Sequence, residues 1–218
     1  NAEGFQLFQA LRKELDLRTV AAGLSGFAPA KQLFPSGYPL HDPKMACAET
    51  PPAVAPLTKR RLRIIYSPGG ATSTIRDKLA GELRRITGDE PEFVAVPLQN
   101  LEQALNQDDY DLYVGTVGLA DPDPEGVMSF YFEGENPIVP SSGFGSTAFL
   151  TRLDQARRHA NAADRLNEMR SIVKDAVCSG HLLPLIHLST VGVARPDIDL
   201  SHVPSSDESV TFSKVRFR

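Results

Sequence analysis

Between residues 61 and 117 the chain alternates short apolar runs with amphipathic stretches, and no other feature narrows the possible folds as much. Residues 61–66, RLRIIY, read as a short buried strand, and Ser67-Pro68-Gly69-Gly70 as the turn that follows. Residues 73–86 place Ile75, Leu79, Leu83 and Ile86 on one face of a helix, and Gly88 stands where such a helix stops. A second strand is expected over 92–98, EFVAVPL, a short helix over 101–106, and a third strand over 111–117, with Leu112, Tyr113 and Val114 serving both faces. Because crossovers between parallel strands are right-handed, this order predicts an α/β fold: a βαβαβ parallel sheet with flanking helices. In open sheets of this kind ligands meet the carboxyl ends of the strands.

The flanking segments are less regular. Residues 6–22 carry Phe8, Leu11, Leu15 and Val20 at near-helical spacing, so the chain opens on one amphipathic helix. Seven prolines, at positions 29, 35, 39, 43, 51, 52 and 56, then forbid regular helix and central strand through most of 23–57. Phe27, Leu33, Phe34 and Tyr38 within this stretch suit an arm packed on a surface. The expected organisation is therefore an entry helix and arm over 1–58 and an α/β lobe over 59–218, forming one domain overall. Beyond the sheet, helices are expected over 153–159 and 163–178, the second capped by Asn161, striped with Leu166, Met169, Ile172, Val173, Ala176 and Val177, and stopped by Gly180. The apolar run 182–194, broken by Pro184, and the alternating run 210–217 read as added C-terminal strands.

A net charge of -4 and a pI near 5.8 provide no basic field for nucleic acid, and Lys59-Arg60-Arg61 reads as a solvated strand entry. No apolar window is long enough to span a bilayer, so the chain as given is expected to be soluble, although a signal peptide could have been removed. Cys47 and Cys178 have no C-x-x-C spacing, which argues against zinc. Pairing and two unrelated buried thiols remain equal alternatives. GGATST after the first strand lacks the lysine of a phosphate loop and the third glycine of a dinucleotide loop. It reads instead as a tight turn with Ser73 or Thr74 capping the helix. Asp121 and Asp123, stiffened by Pro122 and Pro124, are either rim carboxylates suited to a cation or helix-capping aspartates in a polar turn. The histidines are scattered, and Ser142 and Ser146 lie outside any G-x-S-x-G motif, so no nucleophile-base pair, metal site or cofactor is expected. Aromatic side chains gather at Phe130, Tyr131, Phe132, Phe144 and Phe149, as the lining of an amphipathic pocket or as sheet-edge packing.

Taken in order, several segments resemble the second, C-terminal lobe of the family 5 extracellular solute-binding proteins, which deliver peptides, nickel and related solutes to ABC importers. QLFQALRKELDLRTVAAG resembles the helix where a crossover enters that lobe, and GFAPAKQLFP its Gly…Pro-Ala…Pro loop. DLYVGTVGLADPDP resembles the strand and Asp-Pro turn at the cleft, NAADRLNEMRSIVKDAV the Asp…Arg helix, and LLPLIHLSTVGVARPDI the Pro-Leu strand. The resemblance implies a periplasmic-binding-protein-like lobe that is not an enzyme, has no cofactor, and lies in the periplasm or outside the cell, with a lipid anchor left open. It implies as partners a small solute such as a peptide, an ABC permease and a first lobe lying outside this sequence, with no nucleic acid and a monomeric state. Ser67, Gly69, Asn100, Thr116, Gly118, Asp121 and Asp123 are the expected ligand-facing residues, with Tyr131 and Phe144 as apolar walls. Peptide-binding members carry an aromatic residue and then an Asp that grips the ligand's amino terminus. Thr116 and Ala120 stand at those places, leaving Asp121 as the candidate. The alternative is a ligand-sensing domain of a cytoplasmic transcription regulator built on the same lobe.

Overall fold

The structure, a computed structural model, describes residues 2–47, 61–107, 109–116, 123–133, 147–180, 182–188, 195–199 and 216–217. The expected entry helix is two helices, α1 (Ala2–Glu14) and α2 (Leu17–Ala21). The cause is Asp16, whose carboxylate accepts the N–H groups of Arg18 at 2.9 Å and Thr19 at 3.4 Å and so caps a new helix instead of continuing the old one. Glu82 holds the break in place by accepting the Asp16 N–H at 3.1 Å, while Arg85 donates to the Glu14 carbonyl. The arm is not wholly irregular. β1 (Phe27–Pro29) forms in it, with Pro29 at its last position.

Next come β2 (Arg63–Tyr66), α3 (Gly70–Thr87), β3 (Glu92–Ala95), α4 (Leu101–Asn106) after a single 3-10 turn over Leu98–Asn100, and β4 (Leu112–Val114). The strands pair in parallel in the order β3-β2-β4, with Ile64 opposite both Phe93 and Leu112. Asp111 starts the β2-β4 pairing twice over: its N–H donates to the Arg63 carbonyl and its carboxylate accepts the Arg63 N–H, each at 2.8 Å. Strand alternation then sorts the side chains. Ile64, Tyr66 and Val114 face Leu7 and Leu11 of α1, Val20 of α2, and Ile75, Leu79 and Leu83 of α3. Ile65 and, half-buried, Val94 and Tyr113 take the other face with Val96, Leu101 and Leu105. Gly88 ends α3 at φ 80°, a left-handed conformation in which its N–H reaches the Arg84 carbonyl.

A second core is helical. α5 (Pro124–Phe132), α6 (Thr147–Arg157) and α7 (Ala162–Cys178) bring together Met128, Phe132, Leu153, Ala156, Met169, Ile172 and Ala176. Phe34 and Leu40 of the arm are buried in the same cluster, and Tyr38 stacks on Phe34 at 5.1 Å. Arginines tie the helices at the rim. Arg157 donates to Ser129 and Glu133, Arg152 to Glu168, Ser171 and Asp175, and Arg165 pairs with Glu125. A disulfide joins Cys47 in the arm to Cys178 at the end of α7, with 5.4 Å between the Cα atoms. Arg170 donates to the Pro39 carbonyl at 2.7 and 3.0 Å.

β5 (Ile186–Leu188) runs antiparallel to β1, with Ala28 opposite His187. His187 donates from Nε2 to the Gln32 carbonyl at 2.9 Å. The Gln32 amide meets both backbone groups of Asp42, at 2.9 and 3.0 Å. β6 (Ile198–Asp199) and β7 (Arg216–Phe217) form a last antiparallel pair, while residues 189–194 and 210–215 of the expected C-terminal strands lie outside the described residues.

Candidate functional site

Parallel pairing puts the carboxyl ends of β2, β3 and β4 on one edge, so the loops after all three open there. After β2, the chain turns through Ser67-Pro68-Gly69 into α3. Gly69 occupies the helix N-cap at φ 131°, a conformation closed to residues with a side chain, and no side chain caps this end. Ser73 and Thr74 do not cap α3 as expected, because the helix starts at Gly70. Ser73 Oγ instead accepts the Gly69 N–H at 2.9 Å, and the Thr72 hydroxyl is shared between the carbonyls of Ser67 (2.6 Å) and Gly69 (2.8 Å). The turn is thus stitched from within α3, leaving first-turn N–H groups directed at the edge.

After β3, the Val96 N–H reaches the Tyr66 carbonyl at 2.8 Å, extending the pairing before Pro97 breaks it. The 3-10 turn that follows ends at exposed Asn100 and carries Leu98, at 74% the most exposed large apolar residue described. After β4, Gly115 and Thr116 are exposed. Ser67, Gly69, Asn100 and Thr116 are therefore brought to one edge. Gly118, Asp121 and Phe144 lie outside the described residues, and Tyr131 lies in α5 with its side chain outside them.

Asp123 is placed differently from the expected open rim. Its two carboxylate oxygens accept the N–H groups of Glu125 at 3.3 Å and Gly126 at 3.2 Å, capping α5, and Pro124 begins that helix where the sequence suggested an extended rim. The aromatic cluster also divides. Phe132 is fully buried against Phe149, ring centroids 5.8 Å apart, and serves the helical core, whereas Phe130 is 52% exposed.

Among the described residues no group of three His, Cys, Asp or Glu side chains could hold a metal ion. His41 and His187 each lie within hydrogen-bond reach of a main-chain carbonyl, of Phe34 and Gln32 respectively. The edge residues Ser67, Asn100, Tyr113 and Thr116 are uncharged. In the sequence Tyr113 reads only as a strand residue, yet its phenol ends at this edge. Burial raises its pKa above the ordinary tyrosine value, because the phenolate would lose hydration, and the neighbouring Ser67 hydroxyl offsets part of this. Among the described residues no helix is long and apolar enough to cross a membrane.

No family model and no curated protein matches the sequence. Solved structures do. The Escherichia coli murein tripeptide binding protein MppA superposes with a TM-score of 0.71 at 14% identity, covering 97% of this chain and 45% of MppA. NikA from Brucella suis, solved in complex with Fe(III)-EDTA, gives a TM-score of 0.72 at 15% identity, covering 98% of this chain and 48% of NikA. OppA from Burkholderia pseudomallei gives 0.67 at 13% identity, covering 98% of this chain and 45% of that protein. The chain spans under half the length of each of these proteins. At these identities the shared property is the fold, and it runs through nearly the whole chain: an α/β fold that makes up part of the family 5 solute-binding proteins.

Proposed function

We propose that this chain is the second lobe of a two-lobe receptor that presents a small solute, such as a peptide, to an ABC permease, and that it works in the periplasm or outside the cell. One observation carries the reading: three parallel strands end on a common edge where Ser67, Gly69, Asn100 and Thr116 come together, and that edge is where open α/β sheets take ligands. A clamp of two lobes buries its solute by hinge closure, so one lobe alone supplies only part of the contact and binds weakly. The Cys47–Cys178 disulfide favours export over the alternative of a cytoplasmic ligand-sensing domain, because reducing compartments keep such cysteines as thiols.

The test is a thermal-shift and calorimetric screen of the intact protein against di- and oligopeptides, nickel chelates and sugars. Binding to the native state raises Tm by mass action, and a saturable shift with one class identifies the solute. A flat screen across all classes overturns the reading.

A further inference from the structure

The end of β4 contains a contact that a plain strand terminus would not need. A Cβ built on Gly115 would lie 2.7 Å from Tyr113 Cζ and closer still to the phenol oxygen, so any side chain at this position collides with the ring of the residue two places before it. Gly115 does not have a positive φ, so its backbone makes no demand for glycine. What a side chain here would displace is the phenol. Tyr113 folds forward along its own strand, occupies the place a Cβ on Gly115 would take, and brings its hydroxyl beside Ser67 at the end of the neighbouring strand β2. The Ser67 hydroxyl is sealed from solvent and has no well-aligned hydrogen-bond partner in this conformation, so the two hydroxyls together retain unused donor and acceptor capacity.

The surroundings limit what could use that capacity. Ser67, Asn100, Thr116 and Tyr113 carry hydroxyl and amide groups, and the one carboxylate described near the turn after β4, Asp123, already accepts two N–H groups at the start of α5. Groups of this kind satisfy an uncharged hydrogen-bonding partner and do not compensate a buried charge.

We propose that Tyr113 is a specificity-determining residue of the strand-end site: laid against Gly115 and beside Ser67 at the adjoining ends of β4 and β2, it offers its hydroxyl to an uncharged amide of a peptide backbone. This rests on the solute-receptor reading above and names a residue that would meet the ligand at the strand ends.

The experiment is titration calorimetry on the intact protein with oligo-alanine peptides of two to five residues. Tyr113→Phe keeps the ring and removes the hydroxyl, and weakens peptide binding by about 3- to 10-fold, the usual worth of one hydrogen bond. Gly115→Ala pushes the ring aside and weakens binding at least as much. In a Tyr113→Ala background, where no ring remains to collide, Gly115→Ala has no further effect. Wild-type binding that is unchanged in Tyr113→Phe and Gly115→Ala, or a Gly115→Ala loss that persists without the ring, overturns the assignment of Tyr113 and leaves the receptor reading standing. Absence of peptide binding by the wild type overturns the peptide class and the Tyr113 assignment together, while the receptor reading is then decided by the nickel-chelate and sugar arms of the screen.

Discussion

The sheet core and the helical core are built from similar apolar side chains and closed in opposite ways. β2, α3, β3, α4 and β4 follow one another directly, and β2 pairs with β3 one crossover on and with β4 two crossovers on. The helical core depends on chain that left it long before: Phe34 and Leu40 enter from the arm, Arg170 reaches the Pro39 carbonyl across 131 positions, and the disulfide spans the same separation. Strands and helices that follow one another in sequence meet through short loop closures, whereas a core that waits for a distant arm requires the larger entropy loss first. The comparison teaches that the arm is a structural member of the helical core, where Phe34 and Leu40 are fully buried, whereas it touches the sheet core only at its start, through the half-buried Leu24 and Phe27.

Reducing the disulfide, or replacing Cys47 and Cys178 by Ala, is the strongest way to break that comparison. Removing a cross-link of this span costs about 4–5 kcal/mol in the chain-entropy model, seen as a lower denaturation midpoint. An unchanged midpoint would mean that the arm is held by packing alone. Next in size is Phe34→Ala, expected to cost about 3–5 kcal/mol as a fully buried aromatic, comparable to truncating a helix residue such as Met128. A loss near that of a surface substitution would return the arm to the periphery.

Beside each core stands a glutamate whose pKa lies below its ordinary value of 4.5: Glu82 through hydrogen bonds from Arg85 and the Asp16 N–H, and Glu133 chiefly through Arg157. A depressed folded pKa means that the unfolded chain takes up the proton first. The stabilisation is therefore complete above pH 4.5 and is lost as pH falls below it. Glu82→Ala should cost about 1–3 kcal/mol at pH 7, because the Asp16 N–H and the Arg85 guanidinium both lose a buried acceptor. Its gap to wild type should narrow on acidification to pH 3. A gap that stays constant would show that packing and not charge is responsible. The smallest effect is expected of Asp123→Ala, about 1 kcal/mol from the lost cap of α5, with Asp123→Asn nearly neutral. A change in solute affinity that exceeds this loss would restore Asp123 to the ligand site.

The regular parts of the sheet were legible because burial on two faces leaves continuous apolar runs, and because Gly88 meets the left-handed requirement of a helix stop. The beginning of α5 is legible too, in two ways. Asp-Pro-Glu is cap, first-turn proline and first-turn acid, which is the capping reading, while the rim-carboxylate reading took the two prolines as extended chain. The split between α1 and α2 hid in Asp16, which fits a helix pattern until its side chain competes for backbone N–H groups. Pairing of β1 with β5 leaves no local trace, since three residues ending in proline meet a partner roughly 160 positions away only through tertiary structure. At the candidate site, the loops after the strands followed from strand order, but the folding of Tyr113 over Gly115 depends on a side-chain direction that periodicity does not encode.

The link from Cys47 to Cys178 also determines how the protein would come apart. The whole β2-to-β4 sheet and most of the three-helix core lie inside the ring that it closes. A protease that cuts once anywhere within that ring yields two peptides still covalently joined, which migrate as one species until a thiol is added. A gel with and without reductant therefore reads out whether the clasp has formed, with no ligand and no assay of function.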